Sequence, residues 1–166
     1  MTHYLDSLFA RYCQKGILVD TNILLLLFVG TVNRKRISLF KRTQQFVSED
    51  YDLLSNILSK FVAVVTTPNI LTEVNSLINQ LGEPERSQCL QLLAKTIEEE
   101  GLSEFYVESR LVAQESNISK YGLTDSGIVH LAKNKYLVLT DDFKLANYLN
   151  KSEIDVINFN NLRDFE

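Results

Sequence analysis

Apolar residues gather along this chain in two kinds of run. Short, nearly continuous β-branched or aliphatic runs occur at Gly16-Ile-Leu-Val-Asp20, Phe61-Val-Ala-Val-Val-Thr66 and Tyr136-Leu-Val-Leu-Thr140, the pattern of parallel strands covered on both faces. A shorter run, Asp155-Val-Ile-Asn-Phe159, predicts an edge strand. Between the strands the apolar residues recur at helical spacing. Residues 34–60 predict one long or two short helices with Ile37, Phe40, Phe46 and Leu53 or Leu54 facing inward. From Pro68 to Leu81 the stripe is Ile70, Leu71, Val74, Leu77, Ile78 and Leu81, with Thr67 as N-cap and Pro68 in the first turn. Glu83 to Glu98 repeats the pattern through Cys89, Leu90, Leu93, Ala94 and Ile97. A weaker helix is predicted over 107–120, and short ones over 124–134 and 142–151. Residues 1–15 predict an amphipathic N-terminal helix ahead of a core over 16–160. Strands alternating with helices imply an α/β fold, a central parallel β-sheet flanked by helices. No repeat or linker divides residues 1–166, and the length suits a single domain.

Three aspartates interrupt this pattern in the same way. Asp20 is followed by Ile23, Leu24 and Leu27; Asp125 by Ile128, Val129 and Ala132; Asp142 by Leu145, Ala146 and Leu149. At about 100° per residue, each acid heads the apolar stripe of its own helix and points toward the sheet. An ionised side chain rarely goes unpaired there. Two of the three directly follow a strand, which places them on the sheet edge where ligands bind in parallel α/β folds. Glu73, about 40° outside its helix's apolar arc, is a fourth candidate. Each aspartate taken singly reads as a helix cap. Together they read differently, because converging carboxylates repel unless a cation or a shared proton neutralises them. An oxygen-only cluster favours Mg2+ or Mn2+ over zinc.

Composition narrows the functional classes. A net charge of −4 excludes a broadly basic, DNA-coating protein. Only 6 glycines and 2 prolines favour long helices over a many-turned sandwich. Cys13 and Cys89 form no metal or redox spacing, fit buried small hydrophobes, and suit a reducing cytoplasm. The most apolar stretch, Ile17 to Val29, is broken by Asp20-Thr21-Asn22 and is too short to span a bilayer. No secretory signal is seen and no membrane association is expected.

The segments ILVDTNIL (Asp20, Thr21, Asn22), VVTTPNILTEV (Glu73), LTDSGIVHLA (Asp125) and LVLTDDFKLA (Thr140, Asp142) resemble the four-acid pattern of PIN-domain nucleases. The resemblance spans roughly residues 16–160. It implies a PIN-like fold and a metal-dependent endoribonuclease, a class that includes the toxins of toxin–antitoxin pairs. It also implies Asp20, Asp125 and Asp142 as ligands of Mg2+ or Mn2+, with Glu73 as a ligand or water-orienting base. Asn22 and Thr140 would orient that shell through hydrogen bonds. Of the tandem Asp141-Asp142, angular position favours Asp142 as the fourth acid, leaving Asp141 as an N-cap or outer carboxylate. The segments 34–60 and 82–122 are long for compact toxins, so an antitoxin partner rests on the analogy alone.

Arg34, Lys35, Arg36, Lys41 and Arg42 place five of the 17 basic residues within nine positions. They read either as a solvated helix face or as a contact for a nucleic-acid backbone. The partner would be RNA, in single-stranded or loop regions. Lys133, Lys135 and Lys144 could add positive charge near the acids, whereas His130 falls on the outer side of its helix. No periodic array of aromatics suggests a base-reading platform. Homodimerisation fits so small a domain without a patch to assign it to. Two other readings compete. A haloacid-dehalogenase-type phosphatase would use Asp20 and Thr66, but it wants an acid where Asn22 stands and leaves Asp125 unexplained. A PIN-like domain that binds RNA or protein without cleaving differs only in turnover.

Overall fold

The computed structural model describes residues 2–163. In chain order the elements are α1 (Thr2–Tyr12), β1 (Ile17–Val19), α2 (Thr21–Val32), a 3-10 helix (Arg34–Leu39), α3 (Ser48–Leu58), β2 (Val64–Thr66), α4 (Pro68–Ile78), α5 (Glu85–Glu98), β3 (Ser103–Glu104), α6 (Ser109–Val112), α7 (Ile118–Ala132), β4 (Leu137–Thr140), α8 (Phe143–Lys151), β5 (Val156–Asn158) and α9 (Asn160–Arg163). The strands form one sheet in the order β3-β2-β1-β4-β5, and every pairing is parallel. The α/β fold with a central parallel sheet is therefore observed, and one continuous apolar core runs beneath its helices.

The strands are short because each is only the part of an apolar run that can be buried on both faces. Ile17, Leu18 and Val19 lose all solvent contact, as do Leu137, Val138 and Leu139. These two strands pair in register, Ile17 with Leu137 and Val19 with Leu139, at the centre of the sheet. β5 lies at one edge, as its shorter run predicts. The opposite edge is β3, a two-residue strand with no apolar run to announce it.

α2 is apolar nearly all round, and Ile23, Leu24, Leu25, Leu26, Phe28 and Val29 are buried. A helix of that kind sits inside a molecule, and α2 packs against α3, α4 and α5. The apolar stretch from Ile17 to Val29 is thus a strand and a buried helix. Among the described residues no helix is long and apolar enough to cross a membrane. Residues 34–60 become a 3-10 turn and α3, with Ile37, Phe40, Phe46 and Leu54 buried. The stripe of α4 and its Thr67 cap also form, Thr67 Oγ1 accepting from Ile70 N at 3.2 Å.

The region between β3 and β4 departs from the expected pattern. No single helix covers 107–120: α6 ends at Val112 and α7 starts at Ile118. α7 is itself broken at Gly122, whose φ of 75° and ψ of −176° belong to no helix. That conformation is open to glycine and strained for other residues. The short helix expected from residue 124 is the segment of α7 beyond this break.

The order of strands has a functional consequence. From β1 the chain first builds outward through β2 and β3, then crosses back to lay β4 on the other side of β1. The connections diverge between β1 and β4, which opens a crevice at their carboxyl ends.

Candidate active site

Asp20 leaves β1 at this crevice and caps α2. It is 7% exposed and holds two short hydrogen bonds, accepting from Thr21 N at 2.6 Å and from Thr140 Oγ1, across on β4, also at 2.6 Å. Burial raises its carboxyl most, the two hydrogen bonds pull it down, and the charges of Asp141 and Asp142 raise it, which together leave it at about 6. Thr140 Oγ1 also accepts from Asp142 N at 3.0 Å, so one hydroxyl ties the two strand ends together.

Asp125 lies on α7, three residues past the break at Gly122. Burial raises its carboxyl most, followed by the charges of Asp20, Asp142 and Glu73, and together these push it up to about 7. The fields of the three other acids therefore converge on Asp125. Glu73, on an exposed position of α4, is turned into the crevice by hydroxyls from two other elements. Thr21 Oγ1 donates to Oε2 at 3.0 Å and Thr124 Oγ1 donates to Oε1.

The tandem acids divide their work differently from expectation. Asp142 is the N-cap of α8, its Oδ1 accepting from Lys144 N at 2.6 Å and Leu145 N at 3.1 Å. The cap does not fall to Asp141, because the helical backbone begins one residue later. Asp142 also lines a cavity together with Asp125. Asp141 takes Asn22 Nδ2 at 3.3 Å, and its backbone carbonyl takes Asn160 Nδ2 at 2.8 Å. Burial raises its carboxyl, the Asn22 and Gln45 side chains lower it, and the charge of Asp142 raises it.

The protein uses a further buried acid conventionally, which sets the others in relief. Asp50 accepts from Val47 N at 2.8 Å and pairs with Arg163 Nε at 2.8 Å. Among the described residues no lysine, arginine or histidine pairs with Asp20, Glu73, Asp125, Asp141 or Asp142. Their charges act on one another without a cation between them. Among the described residues no group of three or more histidine, cysteine, aspartate or glutamate side chains is gathered closely enough to hold a metal ion as it stands.

The basic run lies elsewhere. The 3-10 helix that begins it follows the far end of α2, twelve residues and about 18 Å of helix from Asp20. Arg34 is paired with Asp52 at 2.7 Å and lies over the Tyr51 ring; Arg42 donates to Gln80 at 2.8 Å. Arg36 is half-buried, while Lys35 and Lys41 are exposed. Lys144 stands beside the acids, on α8. Lys133 and Lys135 follow the last turn of α7, at the end remote from Asp125. His130 is exposed and stands 3.6 Å from Glu115. Thr66, the hydroxyl that a phosphatase site would need, has no solvent exposure.

Sequence pattern missed Thr124, Gln45, Lys120 and Tyr121 as neighbours of the acids. Thr124 carried one signal, its place immediately before Asp125. The others are brought in by chain reversals that no periodicity encodes. Compared with protein-family models and with curated proteins, the chain gives no match.

Proposed function

We propose that this protein is a PIN-type, metal-dependent endoribonuclease that hydrolyses RNA phosphodiester bonds at the crevice between β1 and β4. The observation that carries the reading is Asp125, half-buried and pressed by the charges of Asp20, Asp142 and Glu73, none of which is paired with a basic side chain among the described residues. Such a group of acids calls for a neutralising cation or proton, and at neutral pH and above a cation serves best. Its all-oxygen donors fit a hard divalent cation, and Asp20, Asp125 and Asp142 would hold Mg2+ or Mn2+. When bound, the ion lowers the pKa of a water and screens charge on the phosphate.

The chain's own residues supply the positioning. Thr140 fixes the Asp20 carboxylate, and Thr21 and Thr124 orient both oxygens of Glu73 toward the crevice. In this reading Glu73 would accept the proton of an attacking water. Asn22 holds Asp141 at the margin of the cluster, where its charge adds to the field on Asp20. A cytoplasmic substrate with unpaired or looped regions fits this reading, and an antitoxin partner belongs to its toxin branch.

The test is Asp20→Asn. The variant should fold like the wild type and lose Mn2+-dependent cleavage of a generic unstructured RNA. Full cleavage by the variant would remove the assignment. A wild-type protein that binds RNA but leaves it intact with Mg2+ and with Mn2+ would favour a binding module on the same fold.

A further inference from the structure

The acids open sideways onto a cavity of about 590 Å3, with Asp125 and Asp142 in its wall. The rest of the wall is of opposite character. Lys120, Lys144 and Lys151 line it, together with Tyr121 and Tyr148. On α8 the lining residues Lys144, Asn147, Tyr148 and Lys151 stand at i, i+3, i+4 and i+7 and so form one helical face. Leu145, Ala146 and Leu149 fill the opposite, buried face. The break at Gly122 lets Tyr121 meet α8 while Thr124 and Asp125 turn to the sheet edge. The Tyr121 and Tyr148 rings stack with centroids 4.6 Å apart and 14° between their planes. Asn117 Nδ2 donates to the Tyr148 hydroxyl at 3.0 Å, and Lys120 Nζ lies 5.0 Å from the Tyr121 centroid.

The charges in this cavity leave one another unsatisfied. All three lysines are exposed, and the ion pairs among the described residues include one lysine, Lys95 on α5. Ammonium groups stand along one wall and unpaired carboxylates at the other. A ligand that complements both is polyanionic along its length and meets the carboxylates through a cation. A phosphodiester strand has that charge pattern, and its bases have flat faces that stack on tyrosine.

We infer that this cavity holds an unpaired stretch of RNA beside the scissile phosphate, with Lys120, Lys144 and Lys151 on its phosphates and a base against the Tyr121–Tyr148 stack. The inference rests on the ribonuclease reading for the position of the scissile bond. It places the strand between α7 and α8, away from the basic run at residues 34–42. A base inside a duplex has both faces covered, so this side of the cut requires unpaired substrate.

Binding is measured by anisotropy of a short, unstructured, fluorescein-labelled RNA across a salt series, with Ca2+ in place of Mg2+ or Mn2+ so that the acids are neutralised, and the RNA is verified intact afterwards. The triple variant Lys120→Ala, Lys144→Ala, Lys151→Ala should bind about tenfold or more weakly, with the log–log salt slope reduced by roughly 2. The double variant Tyr121→Ala, Tyr148→Ala should lose about fivefold or more with its salt slope unchanged. The chain has no tryptophan, so RNA should quench tyrosine emission in the wild type and do so less in that variant. An unchanged affinity and slope in the triple variant would overturn the inference. So would a loss of binding confined to Lys35→Glu, Arg36→Glu, or equal competition by fully duplex RNA. Failure of the ribonuclease reading shows separately, as RNA that stays intact with Mn2+ while this binding pattern holds.

Discussion

Asp142 shows how one carboxylate serves both the fold and the site. Its Oδ1 caps α8 through Lys144 N and Leu145 N, while its charge bears on both Asp125 and Asp20. The two roles separate by substitution. Asparagine caps a helix about as well as aspartate, whereas alanine loses about 1 kcal/mol. Asp142→Asn should therefore melt close to the wild type and Asp142→Ala measurably lower, with cleavage lost in both. Equal melting temperatures would show that the cap contributes little. Thr140 has a comparable double duty, donating to Asp20 and accepting from Asp142 N. Thr140→Val keeps the side chain's shape and leaves one buried Asp20 oxygen without its donor. A loss of about 1–3 kcal/mol is expected, read as a lower denaturation midpoint in urea at neutral pH. At this scale the sequence was legible where an acid broke an apolar stripe. It was not legible for Thr21 and Thr124, whose hydroxyls matter only because folding brings Glu73 to them.

At the scale of elements, α7 is decisive. Its periodicity beyond residue 124 was readable, and so was the place of Asp125 at the head of that stripe. The break at Gly122 was not, since a glycine within a helical pattern marks a left-handed residue only when neighbouring contacts enforce it. Apart from its own stretch of chain, nothing lies within 4 Å of the position a Cβ would take there, so a substitution meets backbone strain and no clash with a packed neighbour. Gly122→Ala is expected to destabilise by about 1–2 kcal/mol. It should also lower kcat more than that loss explains, because the break sets where Asp125 stands relative to β1. A stable variant with normal cleavage would mean that α7 can be straightened without moving Asp125. The two-residue β3 escaped the pattern for a related reason: Ser103 and Glu104 join the sheet by pairing with Val65 and Thr66, not by their own hydropathy.

Across the whole molecule the like charges become a property of stability. Burial and neighbouring charge hold the Asp20 and Asp125 carboxyls up at about 6 and about 7, whereas an unfolded aspartate titrates near 3.9. Burial and neighbouring charge disfavour the ionised native form, so the native state binds more protons than the unfolded one over this interval. Their contribution favours folding most below pH of about 4 and declines as pH rises to about 7. In EDTA, Asp125→Asn should melt above the wild type at pH 8, and the gap should close as pH falls toward 4. Mn2+ at pH 8 should raise the melting temperature of the wild type more than that of the variant. A gap independent of pH would remove the charge account.

The sequence by itself determined the alternation of buried strands and striped helices, and hence the parallel α/β architecture. Solvent exclusion acts on each run of side chains locally and writes a readable period. It also placed Asp20, Asp125 and Asp142 at the heads of their helices, since angular position follows from spacing alone. Tertiary structure decided the rest: which strand ends face one another, which hydroxyls orient Glu73, and which lysines and tyrosines share a cavity with the acids. Those relations depend on the order in which strands are laid into the sheet. Loop closure and packing between residues far apart in the chain set that order, and no short-range pattern records it.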